Sequence, residues 1–138
     1  AEKLDMLEVA ESDLRLVLIH EPENVNALNA LGYTLADHSQ RLQEAKDYIL
    51  KAAALLPDDP SILDSLGWVY YRLGEYEESV KYLRKAFAKY EDAEIAAHLG
   101  EVLWVSGQYE EAGKIWQRGA SVHANHPVLV ETMKRFKQ

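Results

Sequence analysis

The chain has 138 residues, 48% of them apolar, and carries 15 Lys+Arg against 23 Asp+Glu, a formal charge of -8. That charge opposes non-specific attraction to nucleic acid and to an anionic membrane surface, and it favours a basic or neutral partner surface. The absence of Cys removes thiolate chemistry, disulfides and cysteine-ligated zinc, and no apolar run approaches the ~20 residues of a membrane span. The sequence reads as a soluble, folded segment of undecided compartment, with no direct membrane insertion and no affinity for nucleic acid.

Taken in chain order, the first element is a helix over residues 4–20, with Ala10, Leu14 and Val17 on one face and Pro22 after its end. The next unit, 25–59, begins at a capping Asn24 and reads as two helices joined by the turn ADHSQRL, the second presenting Ala45, Ile49 and Ala52 and ending before Pro57. The unit 60–92 starts at Asp59-Pro60, an N-cap followed by proline at the first helical position. Gly74 ends its first helix, Tyr76-Glu77-Glu78 opens the second with acids, and Ser79, Leu83 and Ala86 form the inward ladder. The unit 93–126 repeats this plan with Asp92, Gly107, Tyr109-Glu110-Glu111, and the ladder Ala112, Trp116 and Gly119.

The self-similarity is the strongest signal. Leu-Gly pairs stand at 31–32, 66–67 and 99–100, a period of 33 to 35 residues that belongs to solenoids. Each of these glycines lies inside a predicted helix, where it costs roughly 1 kcal/mol relative to alanine. Close approach of the second helix of the same unit, opposite Ala45, Ser79 or Ala112, would account for all three. On the same ladder, residues 1–24 are the second helix of a preceding, incomplete repeat. Residues 127–138 are a capping helix, in which Met133 and Lys134 stand at the Leu and Gly places.

Candidate chemistry is sparse. His20, His38, His98, His123 and His126 are scattered, and the His123/His126 pair has no third ligand nearby in sequence. No nucleophile elbow, phosphate-binding loop or dinucleotide glycine run occurs, and the pairs Glu77-Glu78 and Glu110-Glu111 fit first-turn acids better than a general acid/base pair. Neither catalysis, nor a cofactor, nor a metal is expected.

The pattern Leu66-Gly67, Tyr70, Ser79, Leu83 and Ala86 resembles the tetratricopeptide (TPR) repeat, and the resemblance runs over nearly the whole chain. It departs at Leu35 and Leu103 in place of Tyr70, at Gly119 in place of Ala86, and at Glu91 where Pro57 would recur. The resemblance implies an all-α, right-handed superhelix of antiparallel helix pairs whose first helices line a concave groove. Carried over place by place, the groove positions are Asn26, Asn29, Tyr33, Ala36 and Asp37, then Ser61, Asp64, Trp68, Tyr71 and Arg72, then Glu94, Ala97, Glu101, Trp104 and Val105. Aromatic rings among amides and charges suit capture of an extended peptide or protein, and at least one of Trp68 and Trp104 is expected to reach solvent. Trp68 is the preferred functional residue, whereas Tyr70 is assigned to packing. The carboxylate clamp of chaperone-binding arrays is missing, since its places hold Asn29, Tyr33, Ser65, Glu94 and His98.

The stretches NALNALGYTLAD, ILDSLGWVYYRLG and EIAAHLGEVLW further resemble the carboxy-terminal repeats of bacterial outer-membrane TPR lipoproteins that bind a carboxyl-terminal processing protease and bring cell-wall hydrolases to it. This similarity implies a non-enzymatic adaptor on the periplasmic side of the outer membrane. The alternative is a structural spacer or a self-association segment, with the first helix and the aromatic stripe meeting another copy.

Overall fold

A computed structural model of the chain describes residues 2–136, which form eight α-helices among the described residues. These are α1 (Glu2–His20), α2 (Val25–His38), α3 (Leu42–Leu55), α4 (Pro60–Arg72), α5 (Tyr76–Lys89), α6 (Ala93–Val105), α7 (Tyr109–Val122) and α8 (Pro127–Phe136).

Local chemistry sets the helix ends. The side chain of Asn24 accepts from the Ala27 N–H, that of Asp59 from Ser61 and Ile62, and that of Asp92 from Glu94 and Ile95. Each satisfies donors that a helix start leaves orphaned. Gly74 and Gly107 take φ of 83° and 88° and close α4 and α6. After α4, the Gly74 N–H donates to the Tyr71 carbonyl and the Glu75 N–H to Tyr70, both at 2.9 Å. This pair of bonds is a Schellman closure that needs a left-handed residue. The turn after α2 has no glycine: the Ser39 hydroxyl donates to the Leu35 carbonyl at 2.7 Å and accepts from the Arg41 N–H at 3.1 Å.

The helices pair antiparallel as α2–α3, α4–α5 and α6–α7, and successive pairs stack into a right-handed α-solenoid. The first helices α2, α4, α6 and α8 lie side by side along one face. Two buried apolar clusters fill the seams, one around Leu31, Ile49 and Val69 and the other around Leu83, Leu99 and Trp116. The ladders Ala45, Ile49, Ala52 and Ser79, Leu83, Ala86 are fully buried. A Cβ on Gly67 would stand 2.5 Å from Leu83 Cγ and 3.1 Å from the Ser79 carbonyl oxygen. The close approach is therefore real, although the atom covering the glycine is the large ladder residue one turn beyond the small one. Ile49 and Trp116 cover Gly32 and Gly100 in the same way. Gly119 has its own reason: an added Cβ would lie 2.5 Å from the Ala96 Cβ.

The two ends differ. In α8, Leu129 and Thr132 are buried while Lys134 is exposed. In α1, Leu14 and Leu18 pack on the α2–α3 side, yet Met6, Val9, Leu16 and Ile19 are exposed, and Ala10 is exposed where its counterparts in the three pairs are buried. Among the described residues, no helix is long and apolar enough to cross a membrane.

Candidate partner-binding face

Because each first helix advances one repeat along the solenoid, residues about one period apart meet on the concave face. The Trp68 indole N–H donates to Asp37 Oδ1 at 3.1 Å, and its ring stacks on His98 with centroids 4.3 Å apart. His98 Nδ1 lies 2.9 Å from Asp64 Oδ1, and His98 Nε2 lies 3.2 Å from the Tyr33 hydroxyl. Further along, the Tyr71 hydroxyl donates to Glu101 Oε2 at 2.9 Å and Arg135 Nη2 donates to Glu101 Oε1 at 2.6 Å. Arg72 reaches the Ser39 carbonyl at 3.4 Å, and Asn29 Nδ2 donates to Ser61 Oγ at 3.2 Å. Asn29 Oδ1 is out of reach of water and has no partner.

All ten candidate residues therefore stand on first helices, but they do not form an open groove of free side chains. Trp68 is only 7% exposed and offers no free aromatic ring, so of Trp68 and Trp104, of which at least one is expected to reach solvent, it is Trp104 that does so, in part. Its indole fills the space between α2, α4 and α6 and bonds to Asp37 there. Asp64 and Glu101 are likewise buried, each held by a partner from a neighbouring repeat. Asn26 is exposed, and Asn29, Tyr33, Asp37, Tyr71, Arg72 and Trp104 keep part of their surface in solvent. Trp104 meets Tyr109 edge-on at 4.7 Å and lies 6.5 Å from Phe136, and Val105 beside it is exposed. Ala36 and Ala97 are fully buried between helices. Tyr70 stacks on Tyr82 with centroids 5.6 Å apart, under the Lys46 ammonium.

The electrostatics follow from this crowding. Burial, with Asp37 next, pushes the Tyr33 hydroxyl well above its ordinary range. Tyr71 is raised by burial and by Glu101. Burial raises the Glu101 carboxyl, against the Tyr71 hydrogen bond and the Arg135 charge, which lower it. Burial disfavours the His98 cation, but Asp64 and, behind it, Glu94 and Asp37 outweigh that and raise its pKa overall. The face holds hydrogen-bonding groups and aromatic edges suited to binding. Among the described residues, no group of three or more His, Asp or Glu could hold a metal ion; His123 and His126 lie edge to face at 5.2 Å, and His126 Nδ1 accepts from the Val128 N–H at 3.3 Å.

His98 and Arg135 were not singled out by sequence reasoning, which weighed His98 as one of five scattered imidazoles. A usable signal was there: Asp64 and His98, like Glu101 and Arg135, are complementary groups 34 residues apart, one repeat period.

Comparison with known proteins agrees with the architecture. A tetratricopeptide repeat family model matches residues 6–60 and 65–125. The TPR repeat-containing protein PA4667 of Pseudomonas aeruginosa is 55% identical over 98 residues, covering 71% of this chain and 17% of that protein. Bacteriophage adsorption protein A of Escherichia coli is 39% identical over 75 residues, covering 54% of this chain and 8% of that protein. The chain thus spans less than a fifth of the length of these relatives. Among solved structures, TTC0263 of Thermus thermophilus superposes with a TM-score of 0.80 at 19% identity, over 98% of this chain and 73% of that one. MamA superposes with a TM-score of 0.71 at 19% identity, over 97% and 81%. With two matched segments spanning most of its length, the chain belongs to the tetratricopeptide repeat family of protein-interaction scaffolds.

Proposed function

We propose that this segment captures a protein or extended peptide on its concave face, as part of an adaptor that presents substrates such as cell-wall hydrolases to a carboxyl-terminal processing protease on the periplasmic side of the outer membrane. The observation that carries the reading is the line of partly exposed groups along the first helices: Asn26 at one end, Tyr33 in the middle, Trp104 and Val105 at the other. Amides can bond an extended backbone, and aromatic edges add apolar area at little entropic cost. Trp68, Asp64 and Glu101 serve this face by positioning its helices and not by touching the partner. The protease and its compartment rest on the likeness of NALNALGYTLAD, ILDSLGWVYYRLG and EIAAHLGEVLW to the lipoprotein group. The test is a crosslinking pull-down with the full-length protein from periplasmic and cytoplasmic fractions. Recovery of a processing protease or a cell-wall hydrolase from the periplasm supports the adaptor, and recovery of cytoplasmic partners alone refutes it.

A second reading is favoured by α1. Its exposed apolar side chains Met6, Val9, Ala10, Leu16 and Ile19 offer a surface for another helix. A second copy of the chain seated there would make this a self-association segment. Leu16→Glu with Ile19→Glu would then halve the mass measured by sedimentation, whereas an unchanged mass removes this reading.

A further inference from the structure

We propose that His98 is a clasp that holds the concave face closed, tying three first helices into one arc that widens when the clasp is released. The imidazole, 3% exposed, is the meeting point of α2, α4 and α6. Its Nδ1 engages Asp64 on α4 at 2.9 Å, its Nε2 meets the Tyr33 hydroxyl on α2 at 3.2 Å, and its ring lies on Trp68 of α4. Trp68 in turn donates to Asp37 of α2. The backbones of α2 and α4 touch, as do those of α4 and α6, but those of α2 and α6 do not approach each other. Tyr33–His98 is thus a side-chain strap across two repeats, and it fixes the angle between first and third units, which stacking of adjacent units leaves free to flex.

The strap can exist in two charge states. With Nδ1–H donating to Asp64, a neutral ring accepts the Tyr33 O–H at Nε2. A protonated ring donates to the Tyr33 oxygen and forms an ion pair with Asp64. The groups facing it are Tyr33 and Asp37 from α2, Asp64 from α4, and Glu94 and Glu101 from α6, with Arg135 of α8 neutralising Glu101. Carboxylates dominate this set, so the cation is the better fit despite burial. A histidine pKa raised in the folded chain contributes stability that is full below its ordinary value of about 6.5 and is lost as pH rises through the raised one. The arc should therefore be tightest at mildly acidic pH and should loosen on the alkaline side.

A chain without cysteine can be spin-labelled cleanly at Gln40→Cys and Gln108→Cys, exposed turn positions that follow α2 and α6. The distance distribution between the labels by pulsed electron resonance reads the arc, with circular dichroism as the check on folding. Tyr33→Phe removes only the hydroxyl end of the strap, and His98→Leu removes the whole clasp. Both are expected to lengthen and broaden the distribution. The parent should broaden as pH rises past the ordinary histidine value of about 6.5, in step with the His98 ring proton shift by NMR, and Tyr33→Phe should flatten that response. If His98→Leu does not fold, Tyr33→Phe alone decides. A distribution unchanged by Tyr33→Phe and by pH overturns the clasp. The readout is intramolecular, so it stands or falls independently of the adaptor role.

Discussion

Replacing Gly67 by alanine sets two effects of opposite sign against each other. Alanine in a helix interior is favoured over glycine by roughly 1 kcal/mol. The added Cβ, however, would sit 2.5 Å from Leu83 Cγ, 2.9 Å from Leu83 Cδ2 and 3.1 Å from the Ser79 carbonyl oxygen, against the ~3.5–4 Å of a comfortable contact. Leu83 is fully buried within the core cluster of α4 to α8. The Ser79 hydroxyl donates to the Gly67 carbonyl at 2.7 Å, which pins the two backbones together. Overpacking a filled core costs about 1–3 kcal/mol, and contacts of 2.5 and 2.9 Å beside a pinned backbone put this site in the upper part of that range. A net loss of about 1–2 kcal/mol is expected, which for a chain of this size lowers the thermal midpoint by roughly 3–8 °C. Thermal and urea unfolding followed by circular dichroism would measure it. The decisive control is Leu83→Ala, which empties the space over the glycine. In that background Gly67→Ala should become neutral or stabilising, giving a coupling of roughly 1–3 kcal/mol. A raised midpoint for Gly67→Ala alone, or the same effect in both backgrounds, would refute the reasoning.

Gly113, midway along α7, has nothing within 4 Å of where a Cβ would stand, so Gly113→Ala should raise stability by roughly 0.5–1 kcal/mol by urea unfolding. Asp92→Ala removes the cap that accepts from the Glu94 and Ile95 N–H groups and should cost about 0.5–2 kcal/mol, again by urea unfolding; no change would mean that the cap is idle. Glu11 accepts from Arg41 at 2.5 and 2.9 Å and from Arg15 at 2.9 Å, and the Arg41 bond foremost holds its carboxyl down at about 2, from an ordinary 4.5, against burial. A carboxylate depressed in the folded chain contributes stability above its ordinary pKa and loses it as pH falls. Pepsin cleavage within α1 should therefore rise as pH drops from 4.5 towards 2. Glu11→Gln should be cleaved readily even at the top of that window, and cleavage indistinguishable from the parent's would count against this fastening of α1.

The fold was legible because its signals are local and periodic. Asn24, Asp59 and Asp92 mark helix starts through bonds to their own neighbours, and Gly74 and Gly107 mark stops through a conformation that few other residues adopt. The Leu-Gly pairs mark the close crossing of two helices. The partner atom was less legible: small Ser79 was the expected neighbour of Gly67, while Leu83 does the covering, because a side chain on a helix leans over the turn before it. The concave face was legible only in outline. Place within the repeat put Trp68 on the correct side of α4, but place alone does not say whether a ring there meets water or the next unit. That depends on what stands one period away, and here Asp37 and His98 draw the indole inward. The most connected side chain of the face, His98, was hidden because a histidine has no pattern of its own. Its role comes from Asp64 and Tyr33 on two other helices.

Capture of partners on the proposed concave face is measured by comparing retention of the crosslinked partner on two variants of the full-length protein. Asn26→Ala with Trp104→Ala alters accessible positions on the first helices, and Lys81→Glu with Lys85→Glu alters exposed positions on α5. Loss of the partner at least tenfold with the first variant, about 1.4 kcal/mol in binding, and retention with the second is the predicted result. Retention with the first and loss with the second would contradict it.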